Sequence, residues 1–322
     1  MTANVGEGSL ASALRERIDS RARSRFEVRE SGPAVFLEAE LPGVFRTVFT
    51  SRLGGISEGP FASLNLDARS EDEPGAVEQN RARVMGILEA DDAVAGAGAG
   101  IGRRFVNPLQ AHGVRVVGAA EYVRDHDGTP CDGLTLNPNL DSGLAALLLF
   151  ADCVPVVLAG EVDMAVVHGG WRGILGGVVQ QGGRAMTSSP GGAVIGPSIG
   201  PCCFTVGEEV ARAFAARYGP EVVVPPGLAG PAPTEGQPKS GRSGLAGPEA
   251  DAPAAAGPGV AGVHRIDLWA AVTKALAEVG VNEGQVVNPR LCTACSKDFF
   301  YSYRREGPVT GRQGCVAWTV EA

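Results

Sequence analysis

Between Gly143 and Gly160 the chain runs LAALLLFADCVPVVLA, an apolar stretch that Asp152 and Pro155 interrupt. A membrane-spanning helix needs about 20 unbroken apolar residues, and turn-forming residues flank this stretch at both ends. It therefore reads as buried strands. Short β-branched runs cut by glycine recur in VFRTVFTS, VRVVGA, DMAVVH and AVIGPS. Several are apolar enough to be covered on both faces. Helical stretches lie between them, over roughly 77–89, 174–186, 208–218 and 268–279, with Asp267 placed to cap the last. Strands and helices mixed in one continuous pattern predict a single α/β or α+β domain.

Two segments stand outside that pattern. Residues 8–24 carry Leu10, Leu14 and Ile18 at helical spacing, which predicts a short amphipathic helix in an N-terminal extension, residues 1–40. In residues 225–262, 17 of 38 positions are Pro or Gly and most others are Ala, Ser or charged. Such a segment cannot bury enough apolar surface to offset its ordering entropy, so we expect a disordered surface insertion. With 322 residues, 44 % of them hydrophobic, the rest of the chain can bury a sizeable core. Lys and Arg number 28 against 36 Asp and Glu, and the net charge of -8 disfavours nucleic acid and anionic membrane as partners. The N-terminus has no basic stretch followed by an apolar one, and seven Cys is an odd count. A cytoplasmic protein with reduced thiols is the expectation.

Three residues suggest chemistry. His112 in NPLQAHGVRV and His168 in MAVVHGGWRG each lie at the edge of a strand beside glycine, and Cys153 falls between two apolar runs. A Cys so placed is ordinarily a small hydrophobe, and a lone His a satisfied polar residue. Their company changes the reading: Asp152 adjoins the Cys, and Gly169, Gly170, Trp171 and Arg172 follow the second His. One thiolate and two imidazoles form a three-ligand zinc set, with a fourth position left for water and substrate. A strand ending in His-Gly-Gly before a helix offers free backbone N–H groups to an anion, and Arg172 adds a planar cation suited to phosphate or carboxylate. The remaining thiols are weaker signals. Cys292 and Cys295 form a CxxC with no second pair at a structural zinc spacing, and the side chains of adjacent Cys202 and Cys203 are expected to diverge.

The sequence resembles the laccase-domain, or YfiH-like, proteins, formerly called multicopper polyphenol oxidases and now described as purine nucleoside phosphorylases. Six motifs carry the likeness in order: TSRLGGISEGPFASLNL (Thr50 to Leu66), QAHG (Gln110 to Gly113), ADCVPVVL (Ala151 to Leu158), HGGWRG (His168 to Gly173), IGPSIGPCCFTVGEEV (Ile195 to Val210) and FFYSYRREGPVTGRQ (Phe299 to Gln313). The resemblance implies zinc on His112, Cys153 and His168, with copper as the alternative metal. It also implies a mixed-sheet sandwich flanked by helices, related to toxin-type cysteine deamidases, with residues 41–322 as the catalytic domain. The implied reactions are phosphorolysis of adenosine, inosine and methylthioadenosine, and deamination of adenosine. Nucleoside and phosphate are then the partners, and Arg52, Arg172 and Arg305, each inside a motif, are candidates to hold phosphate. The chain departs from the family where many members carry His-Val-Gly-Asp after the first motif and this one reads LDARSEDEPGAV.

Two other chemistries use the same residues. A type 1 copper site could take Met164, on the same strand face as His168, as a weak axial ligand. A laccase also needs a His-rich trinuclear cluster, which four His in the whole chain cannot build. A cysteine amidohydrolase, of the kind linked to editing of peptidoglycan precursors, would use Cys153 as nucleophile and His168 as base. A binding module without turnover is a third class.

Overall fold

The computed structural model describes residues 7–94, 102–125, 128–225 and 264–320. The insertion read at 225–262 lies outside them except for Pro225. The described strands, in chain order, are β1 (Phe26–Ser31), β2 (Ala34–Ala39), β3 (Phe45–Thr50), β4 (Arg104–Val106), β5 (Val116–Gly118), β6 (Gly133–Leu136) and β7 (Leu144–Phe150). They continue with β8 (Val154–Ala159), β9 (Met164–Gly169), β10 (Gly192–Ile195), β11 (Thr205–Val206), β12 (Val223–Val224), β13 (His264–Ile266), β14 (Val286–Val287) and β15 (Gln313–Thr319). The helices are α1 (Glu7–Arg17), α2 (Pro74–Val94), α3 (Ala119–Arg124), α4 (Trp171–Gly176), α5 (Val178–Ala185), α6 (Glu208–Tyr218), α7 (Leu268–Ala277) and α8 (Tyr303–Glu306). Among the described residues no helix is long and apolar enough to cross a membrane.

Two six-stranded mixed sheets form the centre, in the orders β1-β2-β3-β15-β7-β4 and β14-β10-β8-β9-β6-β5. The side-chain alternation of a strand explains why both are buried on two faces. On β7, Leu144, Ala146, Leu148 and Phe150 face the core between the sheets, while Ala145, Leu147 and Leu149 join α2 residues Val84, Ile87 and Leu88 on the outer face. On β8, Val157 and Ala159 belong to the same inner core, and Val154, Val156 and Leu158 pack with residues of α4 to α7. The layers are thus helix, sheet, sheet and helices, an α/β sandwich. The long apolar run is a pair of buried strands on different sheets, joined at Ala151 to Cys153.

Two sequence expectations differ from the structure. The helix expected over 174–186 is two helices, because Gly177, at φ 93°, adopts the left-handed conformation that closes α4 before α5 begins. The segment before residue 41, read as an extension, supplies β1 and β2 to the first sheet, paired from Phe26↔Ala39 to Ser31↔Ala34 and onward to β3. Its helix α1 lays Leu14, with Ile18 just beyond, against the inner core. Asp267 caps α7 as expected, accepting from the Ala270 N–H at 3.0 Å.

A candidate metal centre at the edge of the sandwich

The alternation along β9 places Met164, Val166 and His168 on one face, toward the core between the sheets. His168 is 3 % exposed and its ring lies 5.3 Å from that of Phe150, at the end of β7 on the opposite sheet. Cys153 ends the turn that crosses from β7 to β8. In that turn Asp152 has φ 98°, a left-handed conformation that a non-glycine residue keeps only when its surroundings hold it. Thr293 Oγ1 donates to the Asp152 carboxylate at 2.6 Å and the Arg304 backbone N–H donates at 2.7 Å. His112, with φ 58°, is the second such residue and comes from the loop between β4 and β5. Gln110 pins that loop: its side chain exchanges two hydrogen bonds with the backbone of Leu149, each 2.8 Å, as a strand neighbour would.

One buried carboxylate organises the histidines. Asp132 accepts the backbone N–H groups of Ala111, His112 and Gly113 at 3.2, 2.9 and 2.7 Å, and its Oδ1 lies 2.8 Å from His168 Nδ1. Burial alone would raise this carboxyl; His168 and the backbone donors win and hold it below the usual range. Sequence reading missed Asp132. The available signal was an acidic residue at the threshold of an apolar strand, and nothing local says which loop it holds. Gly170 completes the arrangement, since a Cβ there would lie 2.4 Å from His112 Cδ2, so only glycine lets the imidazole take this place.

The donor set suits a tetrahedral ion. Cys153 Sγ lies 3.6 Å from His112 Nε2, the two imidazole rings are 4.8 Å apart at 73°, and ligand atoms of all three residues fall within 4.8 Å of one another. Zn–N bonds of about 2.0 Å and Zn–S bonds of about 2.3 Å place tetrahedral donors roughly 3.3 to 3.6 Å apart. With Nδ1 of His168 held by Asp132, its Nε2 is the nitrogen left for a metal. Burial would push the Cys153 thiol up, but His168 and His112 beside it bring it down to about 6. Burial would lower His168, while Cys153 and Asp132 raise it to about 10. Each group thus favours the charged form of the other, and a cation that takes the sulfur and His168 Nε2 would displace whatever proton they share.

The family described as multi-copper polyphenol oxidoreductase laccase matches residues 46–227 and 245–320. The chain belongs to that family. A purine nucleoside phosphorylase of Streptomyces coelicolor is 33 % identical over 277 residues, 84 % of this chain and 93 % of the relative. The purine nucleoside phosphorylase YlmD of Geobacillus stearothermophilus is 29 % identical over 279 residues, 82 % of this chain and 86 % of its own. The solved structure of Neisseria meningitidis protein NMB0706 superposes with a TM-score of 0.67 at 28 % identity, covering 89 % of this chain and 99 % of that one. The mixed-sheet sandwich is therefore the fold of this laccase family.

Within that fold, the other residues expected at the site are placed differently from one another. Arg52 and Arg305 meet on Glu306, at 2.7 and 2.9 Å. Arg52 Nε also donates to Ala62 O at 2.9 Å, and Arg305 donates to the carbonyls of Thr293, Ala294 and Phe300 at 2.7 to 2.8 Å. These N–H groups are committed to the backbone. Arg172 is exposed in the first turn of α4, stacked 4.2 Å over the Trp171 ring, just beyond the Gly170 that abuts His112. Met164 does share the face of His168, but four residues along a strand span about 13 Å. It pairs instead with Ala159 and Leu136 and is fully buried in the core, out of reach as an axial copper ligand.

Proposed function

We propose that this chain is a zinc-dependent purine nucleoside phosphorylase acting on adenosine, inosine and methylthioadenosine, with adenosine deaminase activity at the same site. The observation that carries the reading is the convergence of His112, Cys153 and His168, backed by Asp132, in a chain whose relatives are named purine nucleoside phosphorylases. Held by these three residues, zinc would supply Lewis-acid activation of water. Asp132 fixes the tautomer of His168 and the loop that presents His112. Arg172, its guanidinium plane set by stacking on Trp171, holds phosphate for attack on the ribose. Arg52 and Arg305 act by positioning, tying the Thr50–Leu66 motif and the loop before α8 to Glu306. The described cysteines are all unpaired, which suits a reducing cytoplasm.

Metal analysis combined with product identification tests this. Purified protein given adenosine or inosine, with and without phosphate, is followed by chromatography of adenine, hypoxanthine and inosine. Cys153→Ala should lose the metal at this centre and both reactions. Arg172→Ala should lower the phosphorolytic rate constant by about one to two decades, the loss of a charged hydrogen bond to phosphate, while adenosine deamination survives. Base release that does not depend on phosphate, or equal loss of both reactions in Arg172→Ala, would refute the assignment.

One observation favours a second reading. Cys153, His168 and Asp132 also line up as thiol, imidazole and carboxyl, the arrangement of a cysteine amidohydrolase. That chemistry leaves His112 without a role, so the metal reading accounts for more of the site. Activity of metal-free protein that chelators do not affect would reverse the preference.

A further inference from the structure

Two cysteine pairs that the sequence reading kept apart meet in the structure. Cys202 and Cys203 follow β10, and Cys292 and Cys295 follow β14. A short parallel contact between Ser198 and Cys292 aligns the two loops, with Ser198 N donating to Leu291 O and Thr293 N to Ser198 O, each at 3.1 Å. Trp269 Nε1 anchors Ser198 Oγ at 2.7 Å. Gly200 permits the close approach, because a Cβ there would lie 2.7 Å from the Trp269 ring and 3.2 Å from Cys292 Cβ. The absence of a second pair at short sequence spacing is thus made good by tertiary contact, and the turn after Gly200 converges the adjacent side chains that were expected to diverge.

From this juxtaposition we infer a second metal centre, a single zinc ion held by the four thiolates of Cys202, Cys203, Cys292 and Cys295. The four sulfurs lie within 4.8 Å of one another, with Cys202 and Cys295 at 3.5 Å and Cys203 and Cys295 at 3.3 Å. Around tetrahedral zinc, bonds of about 2.3 Å set sulfurs about 3.8 Å apart, so this spacing matches one ion. Sulfurs packed this closely leave no room for the wider core of an iron–sulfur cluster. The Gly200 N–H donates to Cys292 Sγ at 3.2 Å, a bond that favours thiolate over thiol. Cys203 and Cys292 are buried while Cys295 is exposed, which gives the ion a route in. Four soft donors with no carboxylate or imidazole among them select zinc over harder cations. With no open ligand position, this zinc is structural.

Its place in the fold defines what it braces. The CxxC loop carries Thr293, whose hydroxyl holds Asp152 beside Cys153, and the Thr293 and Ala294 carbonyls hold Arg305. The ion would clamp that loop to the turn after β10 and so stiffen the backing of the catalytic candidates.

The test loads full-length protein, purified under reductant, with zinc alone and counts bound metal after desalting. Wild type should carry two ions per chain. Cys153→Ala should keep one, with an X-ray absorption spectrum of four sulfur ligands. The double variant Cys202→Ser/Cys295→Ser should also keep one, now with a mixed nitrogen and sulfur spectrum. A folded Cys153→Ala protein free of zinc would overturn the inference. So would a disulfide joining Cys295 to Cys202 or Cys203 in zinc-loaded wild type, read by alkylation and mass spectrometry. If the double variant does not fold, the Cys153→Ala spectrum still decides. A wild type holding one ion in an all-sulfur environment would support this centre and refute the catalytic zinc instead.

Discussion

Asp132 does the work of two residues, since one carboxylate sets both the ring of His168 and the backbone of the loop carrying His112. The two ligands arrive from segments 56 positions apart, and a shared partner is what makes their geometry one quantity rather than two. Asp132→Asn keeps the shape but removes the charge and leaves one oxygen where two accepted. We expect zinc to bind this centre 10- to 100-fold more weakly, the usual effect of losing the group behind a ligating histidine. Chelator competition measures it, and unchanged affinity would show that Gln110 and Gly170 hold His112 without help.

At the level of elements, the buried strands that frame the centre have ends tied by side-chain hydrogen bonds. The clearest staple is at the start of β9, where Asp163 accepts the backbone N–H and hydroxyl groups of both Thr187 and Ser188. Burial alone would raise this carboxyl, but these donors outweigh it and hold it below the ordinary carboxylate range. A depressed value in the folded state means the stabilisation is complete above the unfolded pKa, about 3.9, and is lost as pH falls through the lower folded value. Asp163→Asn should therefore destabilise the protein by about 1.5 to 3 kcal/mol at neutral pH, the range for hydrogen bonds to a charged group. The difference from wild type should shrink below pH 4. Urea unfolding at pH 7 and pH 3 checks this, and a difference independent of pH would assign the role to shape rather than charge.

For the whole molecule, the residues on either side of the segment 226–263 are brought together by strand pairing. Val223 and Val224 pair with Ile266 and Arg265, so β12 and β13 bring its two ends together. Because loop-closure entropy changes slowly with length, by about 0.6 kcal/mol per doubling, a short Gly-Ser connection should serve as well. Replacing 226–263 in this way should leave the melting temperature within a few degrees and the turnover unchanged. Loss of folding or of activity would make the segment part of the working protein.

Much of this was legible in the sequence, for a definite reason. Period and punctuation are local properties, so the strands at Leu144–Phe150 and Val154–Ala159, the capped helix Leu268–Ala277 and the glycine-flanked His112 and His168 could be read from neighbouring residues. What only the tertiary structure decided depends on which strand lies beside which. It put Asp132 behind two histidines, turned Arg52 and Arg305 inward onto Glu306, kept Met164 along β9 away from the centre, and joined four cysteines from loops about 90 residues apart. Composition says that such groups exist, but their partners are chosen by sheet order, and sheet order is fixed by the packing of the two layers as a whole.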